Sequence, residues 1–226
     1  MKISVLIPGY FPAIEYFALI AAADRVILLD DIKLPRKSYA YRMQICSSDI
    51  PEWLSVSLMR GNRSGELIRD KRIDYETYWR KLHTKRIYHT YKQCIYFDEI
   101  YPLFDSILDR DWKYLFDMDR NIIEMISSGI QIQHEIIASS ELKIPVDEPD
   151  RYIKLIKAAE GEVLLAGMEL RKFLDEELIT RSGLKLEWLE YDHPEYEQGN
   201  TSGFVPDLTI LDSLFNCGKH KVHFFF

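Results

Sequence analysis

Apolar residues first cluster from Ile3 to Ile7, a short run that Pro8-Gly9 ends, as a buried strand does. Behind Pro12, a residue tolerated in a first helical turn, Ile14, Phe17, Ala18 and Ala21 recur at helical spacing. Asp24-Arg25 breaks that helix, and Val26 to Leu29 reads as a second buried strand ending at Asp30-Asp31. Strand, helix and strand in about thirty residues make a βαβ unit, whose crossover is expected to be right-handed.

The stretch holding Lys33, Arg36, Lys37 and Arg42 reads as a loop or short helix. Leu54, Val56 and Leu58 alternate with Ser55 and Ser57, a strand with one wet face, and Gly61 to Gly65 is a turn. Helical periodicity covers Tyr75 to Tyr91, Asp98 to Leu108, and Trp112 to Ile126 before Gly129. Gln133 to Ala138 reads as a strand, and Pro145 to Pro149 as an internal joint. Asp150 is placed to cap a helix reaching Ala159. A strand from Val163 to Ala166 stops at Gly167, a helix from Glu169 to Ile179 ends before Gly183, and Leu184 to Leu189 is another strand. The last helix spans about Leu208 to Phe215, with Asp207 near its start and Gly218 past its end. Alternation at both ends around a helical block predicts one three-layer α/β domain. Its sheet is mostly parallel, and a helical insertion covers about residues 75–130.

Composition narrows the classes. A chain of 226 residues that is 47% hydrophobic builds a core without metal or disulfide staples. Its formal charge of -7 argues against a general nucleic-acid or anionic-membrane binder. The basic exception is Arg69 to Lys92, where eight bases face three acids. That asymmetry marks either a solvated helix face or a patch for a phosphate-rich partner, the solvated face being the simpler reading. Cys46, Cys94 and Cys217 have no metal-ligand spacing, which fits a reducing compartment and thiols packed as small apolar groups. No cleavage site follows the apolar start, and no run reaches the ~18 apolar residues of a span, so a cytoplasmic location without membrane contact is expected. The terminal Phe224-Phe225-Phe226 is expected to dock on its own core or on a second copy in a homo-oligomer.

Open α/β sheets bind ligands beyond the carboxyl ends of their strands. Here those ends deliver Pro8, Gly9 and Tyr10, then Asp30, Asp31 and Lys33. They also deliver Gly167, Met168 and Arg171, and finally Asp192 and His193. Adjacent carboxylates on an extended chain point to opposite sides, so at most one of Asp30 and Asp31 faces a shared ligand while the other caps or pairs. The facing one suits a general base or a sugar-hydroxyl acceptor, and a turn aspartate paired with Lys33 or Arg36 is the plainer reading. Lys33, Arg36, Lys37 and Arg42, with Tyr39 and Tyr41 between them, suit a diphosphate and a stacked base, or an ordinary solvated loop. His193 is a candidate general base, since imidazole suits proton transfer at neutral pH. A loop histidine held by the backbone is the competing reading. His83 and His89, six apart, fit no single helix face, and no HExxH occurs, so no metal site is read. The absence of GxGxxG, Walker A and GxSxG patterns lowers dehydrogenase, P-loop and serine-hydrolase readings, and no cofactor is assigned.

Several segments in order resemble the WbqC-like protein family. They are Pro8-Gly9-Tyr10-Phe11-Pro12 with Glu15-Tyr16-Phe17, Leu29-Asp30-Asp31-Ile32, His193-Pro194-Glu195-Tyr196, and the long run from Phe204 through Asn216 to Gly218. The likeness spans nearly the whole chain, and its last segment is the most specific. It departs at Leu6-Ile7 and Gly9, where the family has His-Gln before the proline and Asn after it. It departs again at Tyr41-Arg42-Met43, where Asn-Arg-Asn is usual and only Arg42 carries over. The resemblance implies a role in bacterial surface-polysaccharide (O-antigen) biosynthesis, modifying a nucleotide-linked amino sugar by aminoacyl or acyl transfer to its amine. On that reading Asp30, Asp31 and His193 are catalytic, and Tyr10, Lys33, Lys37, Arg42, Gly167, Arg171 and Asn216 bind substrate. The donor is unspecified, and a charged tRNA would dock near Lys81 to Arg86. The alternative is a non-catalytic nucleotide-sugar-binding or assembly partner, which the lost polar residues favour slightly. A nucleotidyltransferase ranks last, because its HxGH residues are missing.

Overall fold

The computed structural model describes residues 1–60, 66–172, 174–199 and 201–226. The Gly61 to Gly65 turn lies outside them. The chain opens with β1 (Lys2–Leu6), α1 (Ile14–Ala22) and β2 (Arg25–Leu28), the expected βαβ unit. A 3₁₀ turn (Tyr39–Tyr41) leads into β3 (Arg42–Ser47) and β4 (Ile50–Ser55). Three helices follow: α2 (Trp79–Tyr91), α3 (Phe97–Asp109) and α4 (Leu115–Gly129). Then come β5 (Glu135–Ala138), α5 (Arg151–Ala158), β6 (Val163–Ala166), α6 (Glu176–Arg181), β7 (Lys185–Trp188) and α7 (Ile210–His223).

Five strands form one parallel sheet in the order β5-β2-β1-β6-β7. Alternation along each strand sorts the core into two faces. Ile3, Val5, Ile27, Leu29, Leu164 and Ala166 pack against α5 and α6. Leu6, Val26, Leu28 and Leu165 face the opposite layer, which holds α1, the helical block and α7. That makes three layers. Gly161 joins α5 to β6 at a place where a Cβ would sit 2.4 Å from the Ile3 side chain.

Five local expectations change, the strand expected over Leu54 to Leu58 being β4, which begins at Ile50 and ends at Ser55. The 33–42 stretch, expected as a loop or short helix, holds the 3₁₀ turn Tyr39–Tyr41 and then enters a hairpin at Arg42, β3 pairing antiparallel with β4 through Ser48-Asp49, both at positive φ. That is the backbone of a type I′ turn, here without the Asn-Gly that usually announces it. The helix expected over 169–179 splits into a 3₁₀ turn (Met168–Lys172) and α6, because Asp175 caps anew by accepting from the Leu178 N–H. Asp150 takes the N-cap position in a left-handed conformation and makes no side-chain cap bond. The final helix starts after Thr209, whose hydroxyl caps it, and continues to His223 across a kink at Gly218. Of the three terminal phenylalanines, Phe225 stacks on Tyr196 while Phe224 and Phe226 stay exposed. No helix among the described residues is long and apolar enough to cross a membrane.

Candidate functional site

Because β1, β2, β5, β6 and β7 run parallel, their carboxyl ends share one edge of the sheet. The chain reverses its direction of travel across the sheet between β1 and β6, the switch point where such sheets open a crevice. The predicted residues at this edge fall into two groups.

The first group joins the ends of β2 and β5. Asp30 and Asp31 are only 2% and 4% exposed. Asp30 accepts from the Ser140 N–H at 2.9 Å and from its hydroxyl at 2.7 Å. The Ser139 Oγ lies 3.0 Å from Asp30 Oδ1 and 2.5 Å from Asp31 Oδ1, so one hydroxyl proton serves two carboxylates. Arg151 completes the cluster, its Nη2 lying 2.6 Å from both oxygens of Asp31 while its Nε donates to the Pro145 carbonyl. Asp31 therefore pairs with a helix residue 120 positions away and not with Lys33 or Arg36. Both carboxylates are spent on internal partners. They fix the start of the loop that carries Lys33 to Arg42.

The second group lies across the ends of β1 and β7. His193 donates from Nδ1 to the Pro194 carbonyl at 3.0 Å, and its Nε2 faces the Asp207 N–H at a long 3.4 Å. That tautomer leaves the Nε2 lone pair weakly held, the form a general base needs. Tyr191 packs edge-on to His193 at 6.0 Å. Burial, with the Glu15 and Asp207 carboxylates nearby, pushes the Tyr191 phenol above its ordinary value. Its hydroxyl is buried without a hydrogen-bond partner among the described residues. Three non-glycine residues on the surrounding loops, Phe11, Lys37 and Asp207, hold positive φ. Such backbone is costly and concentrates where loops are shaped for a task.

The basic loop is tied to the chain leaving β1, since the Tyr10 N–H donates to the Tyr39 carbonyl at 2.9 Å. Lys33, Arg36 and Lys37 are exposed. Arg42 lies with its guanidinium 4.0 Å over the Trp53 ring and 5.9 Å from that of Tyr39, and the two rings stand 5.4 Å apart. The cation covers the Trp53 ring, and half-exposed Tyr39 packs edge-on to that ring, a cluster of flat groups against which a nucleobase could stack.

Other predicted residues sit elsewhere. Tyr10 is wholly buried and its ring is turned inward, its hydroxyl 2.9 Å from His83 Nδ1 on α2, so it offers nothing to a ligand at this edge. Asn216 is a scaffold residue, accepting from the Gly199 N–H and the Cys94 thiol and donating to the Asp212 carbonyl. Arg171 is exposed beside Glu176 at 3.9 Å, and Gly167 is buried, its carbonyl accepting from the Leu170 N–H. Periodicity could not flag Tyr191, Trp53, Ser139 or Arg151, whose partners are distant in sequence.

The C-terminal segment from Tyr196 to Asn216 builds a buried support. Asp212, fully buried on α7, accepts from Tyr196 and Gln198 at 2.9 Å each. Burial raises its carboxyl while these hydrogen bonds pull it back. The thiols Cys46, Cys94 and Cys217 are all raised by burial, Cys94 to about 11, which keeps them protonated at neutral pH. Among the described residues no cluster of His, Cys, Asp or Glu could hold a metal ion.

Two hollows lie away from this edge. One of about 420 Å³ opens at the amino ends of β2 and β5, lined by Asp24, Glu124, Glu135 and His134 among others. Its three carboxylates repel a phosphate. The other, about 20 Å³ and lined by residues such as Phe11, Phe104, Ile126 and Leu214, is apolar and barely water-sized.

A sequence model of the WbqC-like protein family matches residues 8–224. The chain is also similar to the uncharacterized protein Rv1507c of Mycobacterium tuberculosis, at 27% identity over 219 residues that cover 96% of this chain and 94% of that one. No solved structure matches the chain.

Proposed function

The chain belongs to the WbqC-like protein family, and on that premise we propose that it is a transferase acting on a nucleotide-linked amino sugar. It would move an acyl or aminoacyl group onto the sugar amine in bacterial surface-polysaccharide biosynthesis. The supporting observation is the company His193 keeps. The weakly held Nε2 lies on the chain leaving β7, with Tyr191 edge-on to the ring, and the basic, aromatic loop is tied at Tyr39 to the chain leaving β1 at the same carboxyl edge. Lys37 and Lys33 would take the diphosphate by charge-assisted hydrogen bonds, and the Tyr39–Arg42–Trp53 platform the base.

In the step itself, the amine nitrogen attacks the acyl carbonyl carbon. A C–N bond forms, the bond from that carbon to the donor's leaving group breaks, and the amine proton passes to His193 Nε2 and on to the leaving group. Tyr191, its hydroxyl buried, would hold the His193 imidazole in place by edge-on packing. Asp30, Asp31 and Arg151 act as positioning residues for the loop.

One observation favours a second reading, a non-catalytic nucleotide-sugar-binding partner of the same pathway. Both carboxylates first considered as bases are engaged by protein groups. A thermal-shift panel of nucleotide-linked sugars, followed by a turnover assay with acyl donors, tests both. The transferase reading expects a raised melting temperature with amino sugars and turnover that His193→Ala reduces about 10²–10⁴-fold. Binding without turnover by any donor selects the second reading, and no binding at all rejects both.

A further inference from the structure

Helix α2 divides cleanly into two stripes. Trp79, His83, Ile87 and Tyr91 recur every fourth residue and are buried. The opposite stripe is Tyr78, at the helix N-cap, with Lys81, Leu82, Lys85, His89 and Lys92. All six are exposed, Tyr78 to 79%. Helix α2 itself contains no acidic residue, in a chain whose formal charge is -7. Among the described residues, the ion pairs made from this helix, Arg80 with Asp111 and Arg86 with Glu52, lie on its flanks. On the outer stripe the lysines approach rings instead, Lys81 at 5.8 Å from Tyr78 and Lys92 at 5.9 Å from Tyr88.

A helix face normally mixes charges of both signs, since each pair at i,i+4 stabilises it by a few tenths of a kcal/mol. A stripe whose charges are lysines alone gives that up and adds like-charge repulsion between Lys81 and Lys85. Lys81, Lys85 and His89 are four residues apart, so their side chains rise about 6 Å along the axis at each step. That is commensurate with successive phosphates of an extended nucleic-acid strand. Tyrosines beside the cations add the flat apolar surfaces on which unpaired bases stack. With Leu82 its lone aliphatic member, the stripe lacks the apolar face that a helix lying on a membrane buries.

We infer that the outer face of α2 is a docking surface for single-stranded RNA. The choice of RNA among polyanions rests on the transferase reading, in which an aminoacyl group must arrive as an activated ester. The ribose of an RNA 3′ end can carry one. The amide C–N bond forms as that ester C–O bond breaks, and the proton leaving the amine ends on the ribose oxygen. The fold links the two regions: inner-face His83 contacts the Tyr10 hydroxyl, and the Tyr10 N–H donates to Tyr39 of the basic loop.

Fluorescence anisotropy of the whole protein with a labelled single-stranded RNA of about twelve nucleotides tests this between about 50 and 200 mM salt. Wild type should bind with a log–log salt slope of about -2 to -3. Lys81→Gln with Lys85→Gln should make that slope shallower by about 1.4. Tyr78→Ala should weaken binding roughly tenfold at unchanged slope. Lys185→Gln, on exposed β7, should change nothing. An absent RNA complex, an unaltered slope in the double variant, equal affinity for the matching DNA, or binding only to phosphatidylserine vesicles would each overturn the inference. Nucleotide-sugar binding is read separately by thermal shift, so a failed RNA face and a failed sugar site give different results.

Discussion

Replacing Arg151 with methionine isolates what the Asp30–Asp31 cluster contributes. The guanidinium is the cation the structure places against Asp31, with one nitrogen 2.6 Å from both carboxylate oxygens. Both side chains are more than nine-tenths buried. Removing one member of such a pair strands a buried charge and costs about 3–5 kcal/mol, against a total stability of roughly 5–15 kcal/mol. Asp30 lies on the same Ser139 hydroxyl, so little solvent or dipole is free to compensate. For a chain of this size the loss corresponds to a melting temperature lower by roughly 6–20 °C. Asp31→Asn added to Arg151→Met should restore part of it, giving a coupling energy of about 2 kcal/mol in a double-mutant cycle. Urea denaturation at pH 7, monitored by circular dichroism, reads all four corners. A single-variant loss under about 1 kcal/mol, or additivity within about 0.5 kcal/mol, would refute the positioning role.

Other consequences are as direct. Asp119 is wholly buried on α4, no hydrogen-bond partner reaches either oxygen among the described residues, and burial holds its carboxyl well above the ordinary range. A raised acid favours the folded state fully only below its unfolded pKa, near ~3.9, and that advantage is lost as pH rises toward the folded value. Asp119→Asn should therefore raise the melting temperature at pH 8 relative to wild type and leave it nearly unchanged at pH 4. His83 runs the other way: burial lowers it to about 4, so stability is lost as pH falls from about 6.5 to 4, by about 3 kcal/mol, and His83→Gln should flatten that part of the profile in urea melts. Gly218 holds φ 72 and ψ 163 with the Tyr96 ring 2.6 Å from where a Cβ would be, so Gly218→Ala should cost roughly 2–5 kcal/mol in the same assay.

The sheet was legible because its strands are short apolar runs ended by Pro8-Gly9, Asp30-Asp31 and Gly167, and the helical block because its periodicity is strong. What escaped was local chemistry without a sequence signature. Ser48-Asp49 makes a turn usually written with glycine, so β3 went unseen. The 169–179 helix was overrun because nothing in its periodicity marks the restart at Asp175, which only the cap bond to Leu178 reveals. At the proposed site, position along the strands places these residues at the carboxyl edge but could not tell a free carboxylate from a spent one. Asp31 is spent on Arg151, a partner 120 residues away that no local pattern links to it. Tyr10 failed for a related reason: its place after β1 was right, and its side chain points the other way.

Hydrogen–deuterium exchange of the whole protein with and without a nucleotide-linked amino sugar is the most direct test of where ligand binds. Slower exchange in segments 7–16, 33–42 and 189–195 is the predicted footprint, at the edge where β1, β2 and β7 end. Protection confined to residues 24–25 and 127–136, around the acidic hollow at the opposite edge, would contradict it.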